Sequence, residues 1–322
     1  MTSSLFFSDV TRRFGAVTGL DHVTFSTEPG EIVGVLGPNG SGKSTLLMLA
    51  AGLLAADEGI ITVSGNDVRE RNPERMKKVG MLFDNSAHWD QLSAWDNAFF
   101  FARSYGVPEH FTKDRLHELF SAFGLSERSS DPVETFSFGM RRKLAVIEAL
   151  AHAPDLLVLD EPSIGLDFSS RMILHTRLRK IAKEGATVIF ATNDVYEAQA
   201  LAHRVIIFSK GKITASGDPG DLIRELRAFT TIELRLGSSI SPEVLHRVRG
   251  VEEIRVIEDS PGRYRVRILA RDEENPGTGS SDLIARIATG VIESGGVLLG
   301  IECTEPNLGD VMAKTGGDAN AS

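Results

Sequence analysis

Gly37-Pro38-Asn39-Gly40-Ser41-Gly42-Lys43-Ser44-Thr45 stands between an apolar run, Ile32 to Leu36, and a helical pattern that opens with Thr45-Leu46-Leu47. The stretch fits G-x-x-x-x-G-K-[ST] in the strand-to-helix setting that this motif requires. Its glycines let successive backbone N–H groups turn toward phosphates, and the helix N-terminus adds a favourable dipole. Lys43 is then placed to reach the β- and γ-phosphates, and Ser44 to offer an oxygen to magnesium. A nucleoside triphosphate with Mg2+ is the ligand this stretch predicts.

Downstream, Leu156-Leu157-Val158-Leu159-Asp160-Glu161 ends a second apolar run on two carboxylates. A charge there is costly unless it serves a metal or a reaction. Asp160 suits the magnesium shell, and Glu161 suits polarisation of the water that attacks a γ-phosphate. Ile32 to Leu36, Leu156 to Leu159 and Val188 to Ala191 are nearly all apolar, as strands covered on both faces are. Short β-rich runs alternate with helical patterns from Val10 to about Ile213, which predicts an α/β domain with a mainly parallel sheet. From about residue 85 to 150 the pattern turns helical, with Phe99, Phe100, Tyr105, Leu116, Leu119, Phe120 and Phe123 spaced to form apolar faces. An inserted helical subdomain is expected there.

Composition bounds the rest. The 322 residues are 42% hydrophobic and 25% charged, which suits two ordinary globular domains. The formal net charge of −9 argues against a phosphate-backbone surface, so nucleic acid is not an expected partner. Cys303, the single cysteine, forms no internal disulfide and is expected to pack as a small apolar residue. Residues 1–7 lack the pattern of a secretion signal, and no apolar run approaches the roughly 20 residues that span a bilayer. Any membrane association is expected through a partner.

Between the two phosphate-site stretches lies Phe136-Ser137-Phe138-Gly139-Met140-Arg141-Arg142-Lys143-Leu144, followed after Glu161 by Pro162-Ser163-Ile164-Gly165-Leu166-Asp167. In this order the motifs resemble those of ABC ATPases over residues from about Leu5 to Asp221. The Ser137 segment is similar to the LSGGQ signature in its Ser and second Gly, with Phe138 and Met140 as departures; the Pro162 to Asp167 segment resembles the D-loop. The resemblance implies a P-loop ATPase of the ABC type that binds ATP and Mg2+. It implies nucleotide contacts from Gly37, Pro38, Asn39, Gly40, Ser41, Gly42, Lys43, Ser44 and Thr45. Ser137, Gly139, Met140 and Asp167 are implied to act across a dimer interface, and Phe14 to stack on adenine.

Two positions depart from the family pattern. Asp84 in Val79-Gly80-Met81-Leu82-Phe83-Asp84-Asn85 stands where relatives carry the Q-loop glutamine, with Asn85 as the alternative. Asp84 offers magnesium a shorter, charged ligand. In Phe190-Ala191-Thr192-Asn193-Asp194-Val195, Asn193 replaces the switch histidine, keeping a hydrogen-bond donor for γ-phosphate but losing a group that titrates near neutrality. Catalytic roles are expected for Glu161 and Asn193 and metal contacts for Ser44, Asp84 and Asp160, with slow turnover.

After about residue 225 the pattern changes. Thr230 to Leu236, Val251 to Ile257, Tyr264 to Leu269 and Val297 to Cys303 read as strands, with helices from Pro242 to Val248 and Asp282 to Ser294. The order β-α-β-β-α-β predicts a small ferredoxin-like α+β domain. The expected plan is an ATPase domain at 1–225, this accessory domain at 226–316 and a flexible tail at 317–322. Resemblance extends to ATPases of ABC-2 exporters, including the ending Glu305-Pro306-Asn307-Leu308-Gly309-Asp310-Val311-Met312. It implies pairing with a second copy or a homologous ATPase subunit, a separate transmembrane permease, and a cytoplasmic place at the inner face of the membrane. A nucleotide-gated regulatory subunit with weak or no hydrolysis is the alternative that Asp84 and Asn193 motivate.

Overall fold

The computed structural model describes residues 4–70, 72–83, 88–226, 229–239, 241–260, 262–271, 281–304 and 306–315. Asp84 and Asn85, the tail from residue 317 and Glu305 lie outside them. The chain divides into two compact units, Met1–Ser216 and Gly217–Ser322.

In the first unit the elements run β1 (Leu5–Phe14), β2 (Val17–Thr27), β3 (Ile32–Leu36), α1 (Lys43–Ala50), β4 (Glu58–Val63), β5 (Asn66–Asp67), α2 (Pro73–Met76) and β6 (Val79–Leu82). They continue with α3 (Ala94–Ser104), α4 (Glu109–Ala122), α5 (Phe138–Ala151), β7 (Leu156–Asp160), α6 (Phe168–Lys183), β8 (Thr187–Thr192), α7 (Val195–Leu201), β9 (Arg204–Ser209) and β10 (Lys212–Gly217). One sheet has the order β10-β9-β3-β8-β7-β6, and its strands from β9 through β6 pair in parallel. A second sheet, β2-β1-β4-β5, is antiparallel.

Every residue of β3, β7 and β8 is buried, and successive side chains serve opposite layers. Ile32, Leu157, Leu159, Val188 and Phe190 join the apolar core of α3 to α6. Val33, Val35, Leu156, Val158 and Ile189 join the core of α1 and the antiparallel sheet. The near-continuous apolar runs of the sequence follow from this covering of both faces.

The helical region holds α3, α4 and α5. Leu116, Leu119, Phe120 and Phe123 are buried as their spacing predicts, but Phe100 is 51% exposed. The buried stripe of α3 is Ala94, Ala98 and Ala102, four residues apart, which leaves Phe100 on the outer side against Trp89.

The second unit contains α8 (Pro219–Arg224), β11 (Phe229–Leu236), α9 (Pro242–His246), β12 (Val251–Ser260), β13 (Arg263–Arg271), α10 (Ser281–Glu293), β14 (Leu298–Thr304) and α11 (Leu308–Thr315). It opens at Gly217, and α8 packs with α11. The sheet order β12-β13-β11-β14, antiparallel throughout, makes a ferredoxin-like split unit. Ile232, Leu234, Val266 and Ile268 on one sheet face enclose a core with Leu283, Ile287 and Val291 of α10. On β13, Arg267 donates through Nε and Nη2 to both oxygens of the buried Asp310, at 2.9 and 3.0 Å. Cys303 is exposed on edge strand β14, not packed as its apolar character suggested. Among the described residues no helix is long and apolar enough to cross a membrane.

Candidate nucleotide site

Strand register assembles the site. Leu36 pairs with Thr192, and Asp160 pairs with Ala191, so β3, β8 and β7 end nearly level at the carboxyl edge of the sheet. Their next residues are Gly37, Asn193 and Glu161. Residues far apart in sequence thus meet across two strand spacings, about 5 Å each.

The loop from Gly37 to Gly42 leads into α1. Gly42 caps that helix with φ +112°, and a side chain there would collide with the carbonyl of Gly19, so both conformation and space demand glycine. Lys43 is 7% exposed. Its ammonium donates to the carbonyls of Gly37 at 2.7 Å and Pro38 at 3.2 Å, and to Asn193 Oδ1 at 3.0 Å. Burial pulls the Lys43 pKa down, while the nearby Glu161 and Asp160 carboxylates oppose that shift.

Asn39, Gly40, Lys43, Ser44, Asp160 and Glu161 line one open cleft of about 870 Å³, together with Phe14, Thr45 and Asn193. Ser41 is buried beneath the loop, and Gly37 and Pro38 turn their carbonyls to Lys43 instead of lining the cleft. Phe14 is 46% exposed, with the Arg12 guanidinium 4.9 Å from its ring centre. No described group bonds the Asp160 side chain, although the residue is only 9% exposed.

Glu161 adopts φ +46°, a left-handed conformation that costs a non-glycine residue about 1 kcal/mol or more. Its own N–H is tied to the Ala191 carbonyl at 2.9 Å. Burial raises the carboxyl pKa, partly offset by a bond from the Asn193 backbone and by the charge of Lys43.

Arg142 braces this turn from behind. It is 5% exposed, and its Nη2 donates to the carbonyls of Asp160 at 2.7 Å and Glu161 at 2.5 Å. Its neighbours Arg141 and Lys143 pair with Asp90 and Asp167 respectively. Three consecutive bases resemble a solvated face, and that pattern conceals Arg142 in the sequence. The helical rotation of about 100° per residue instead sends each to a different partner.

Ser137 caps α5 by accepting the Met140 N–H at 3.3 Å. Ser137, Gly139, Met140 and Asp167 do not line the cleft of their own chain. Asp167 caps α6 by accepting the Ser170 N–H at 2.8 Å. Gly165, at φ +73°, lies under the Phe138 ring, where an added side chain would overlap it. The Asp84 metal contact falls on a residue outside the described set.

A family profile described as "ABC transporter" matches residues 20–164. The linearmycin resistance ATP-binding protein LnrL of Bacillus subtilis is 32% identical, over 93% of this chain and 94% of its own length. The sulfate/thiosulfate import ATP-binding protein CysA of Mycobacterium bovis is 37% identical, over 69% of this chain and 63% of its own. A solved ATP-binding subunit of an ABC transporter superposes with a TM-score of 0.66 at 27% identity, over 70% of this chain and 93% of its own.

Proposed function

From the premise that this chain belongs to the ABC transporter family as an ATP-binding subunit, we propose that it hydrolyses ATP to drive an ABC-2 type exporter. The observation that carries the hydrolytic reading is the shared cleft of Lys43, Asp160, Glu161 and Asn193. Glu161 beside Lys43 supports polarisation of an attacking water against the γ-phosphate. Lys43 and the N-terminus of α1 counter the phosphate charge, and the Asn193 amide donates to it. Phe14 offers a face to adenine.

Ser44 and the Asp160 carboxylate, which no described group bonds, suit Mg2+, which takes few protein ligands beside phosphates and water. When bound, that ion neutralises charge on the β- and γ-phosphates.

Ser137, Gly139 and Met140 sit on a capped helix end away from their own cleft, which supports their use on nucleotide held by a second copy or a homologous subunit. Trp89, Leu92 and Phe100 are 44 to 51% exposed and give a permease an apolar docking surface at the inner face of the membrane. Export is favoured because the likeness to the resistance protein spans the second unit as well, whereas that to the import protein covers 69% of the chain.

The test is phosphate release by the chain with its permease in vesicles. Glu161→Gln should lower release at least about 100-fold while ATP still binds. Release equal in both would overturn the hydrolytic reading. Asn193 in place of histidine favours a second reading, a nucleotide-gated subunit; ATP held tightly without turnover by the unaltered chain would select it.

A further inference from the structure

A buried carboxylate lies directly behind the Asn193 turn. Glu197, on the first turn of α7, is 5% exposed and has three side-chain partners from three other segments. Ser163, between Glu161 and α6, donates its hydroxyl to Oε1. His175 of α6 brings Nε2 to 3.2 Å from the same oxygen. Thr192, the last residue of β8, donates to Oε2 at 2.7 Å. All three partners are 5% exposed or less. Burial would raise the Glu197 carboxyl, yet the bonds from His175, Ser163 and Thr192 outweigh it and hold its pKa below the ordinary value.

The connections run onward to the reacting groups. Thr192 precedes Asn193, which lines the same cleft as Glu161 and whose backbone amide favours the ionised Glu161 carboxyl. The Thr192 hydroxyl also accepts the Asp194 N–H at 3.1 Å, fixing the turn that carries Asn193. Ser163 lies two residues after Glu161 and one before the exposed Ile164, where a subunit facing the cleft would press. One carboxylate therefore holds both the 162–167 segment and the turn that carries Asn193 beside Glu161. A buried anion needs its donors, so displacing one of them disturbs the others.

We propose that Glu197 is a positioning residue, which through Ser163 and Thr192 makes the alignment of Glu161 and Asn193 depend on where the 162–167 loop sits. The proposal rests on the hydrolytic reading above.

The experiment compares Ser163→Ala and Ser163→Thr in the full chain with its permease, measuring ATP turnover, KM and thermal melting. Ser163→Ala removes one donor and little volume. It should lower kcat about tenfold with KM for ATP unchanged, because the contact orients the reaction without binding nucleotide. Ser163→Thr, which keeps the hydroxyl, should restore most of kcat. Wild-type kcat in Ser163→Ala would overturn the positioning role while leaving hydrolysis standing. A loss of kcat that Ser163→Thr fails to restore, or one matched by a rise in KM, would also overturn it. Absence of turnover in the unaltered chain would overturn the hydrolytic reading itself, and this proposal with it.

Discussion

Lys43 Nζ stands 3.0 Å from the side-chain oxygen of Asn193, whose amide nitrogen donates in turn to Asn39 Oδ1 at 3.1 Å. The three residues come from the start of α1, the end of β8 and the phosphate loop, so the amide closes a link across the site. An amide carries both acceptor and donors. Asn193 therefore meets a cation with its oxygen and offers a donor with its nitrogen, without gaining or losing a proton.

Turnover should reflect that indifference to protons. Glu161 must be ionised to polarise water, and its pKa is raised, so kcat should climb with pH through an acid limb centred above the ordinary glutamate value. No limb near 6.5 is expected from Asn193. Asn193→His should add one at about pH 6.5, the ordinary histidine value, as read from kcat between pH 5 and 9. An unchanged profile in Asn193→His would separate this position from the reaction.

Arg142 should prove as important as residues that face the cleft. Arg142→Lys retains charge but shortens the side chain and removes the planar Nη2 group that serves the Asp160 and Glu161 carbonyls together. The Asp160 carbonyl would lose this buried donor, at a cost of about 1–3 kcal/mol, which denaturant titration should register. Phosphate release should fall as well, because the left-handed Glu161 turn loses its brace. A variant with wild-type stability and turnover would show that the brace is dispensable.

His152, at the end of α5, stacks on Tyr105 with ring centres 3.8 Å apart. Burial lowers its pKa to about 4. The folded state thus prefers the neutral ring. The stability this gives is fully present above the unfolded value near 6.5 and is lost as pH falls through 4. The loss should reach about 3 kcal/mol. His152→Phe keeps the stacking face and removes the proton site, so its denaturant midpoint should fall less than that of the wild type between pH 7 and 4. Parallel curves would refute the assignment.

Much of this was readable from the chain alone, for identifiable reasons. Lys43, Ser44, Asp160 and Glu161 sit in short motifs whose spacing is dictated by a loop or strand end, so local sequence betrays them. The second unit was equally legible because its strands alternate and its helices keep one apolar stripe. Arg142, Ser163, His175 and Glu197 were not. Apart from Thr192, five residues before Glu197, the partners named above lie 18 to 34 residues away in sequence, and Arg, Ser and Glu are ordinarily at the surface. Only the parallel register, which puts Leu36 beside Thr192 and Asp160 beside Ala191, brings these groups together. Phe100 failed for a different reason: alanines, easily overlooked beside phenylalanines, form the buried stripe of α3.

The separate apolar interiors of the two units bear on how such chains diversify. A lineage that replaces the smaller body keeps the side chains that fill the larger one's own cores. The seam at 216/217 is accordingly a natural cutting point for chimeras, at which one power source is fitted with interchangeable attachments.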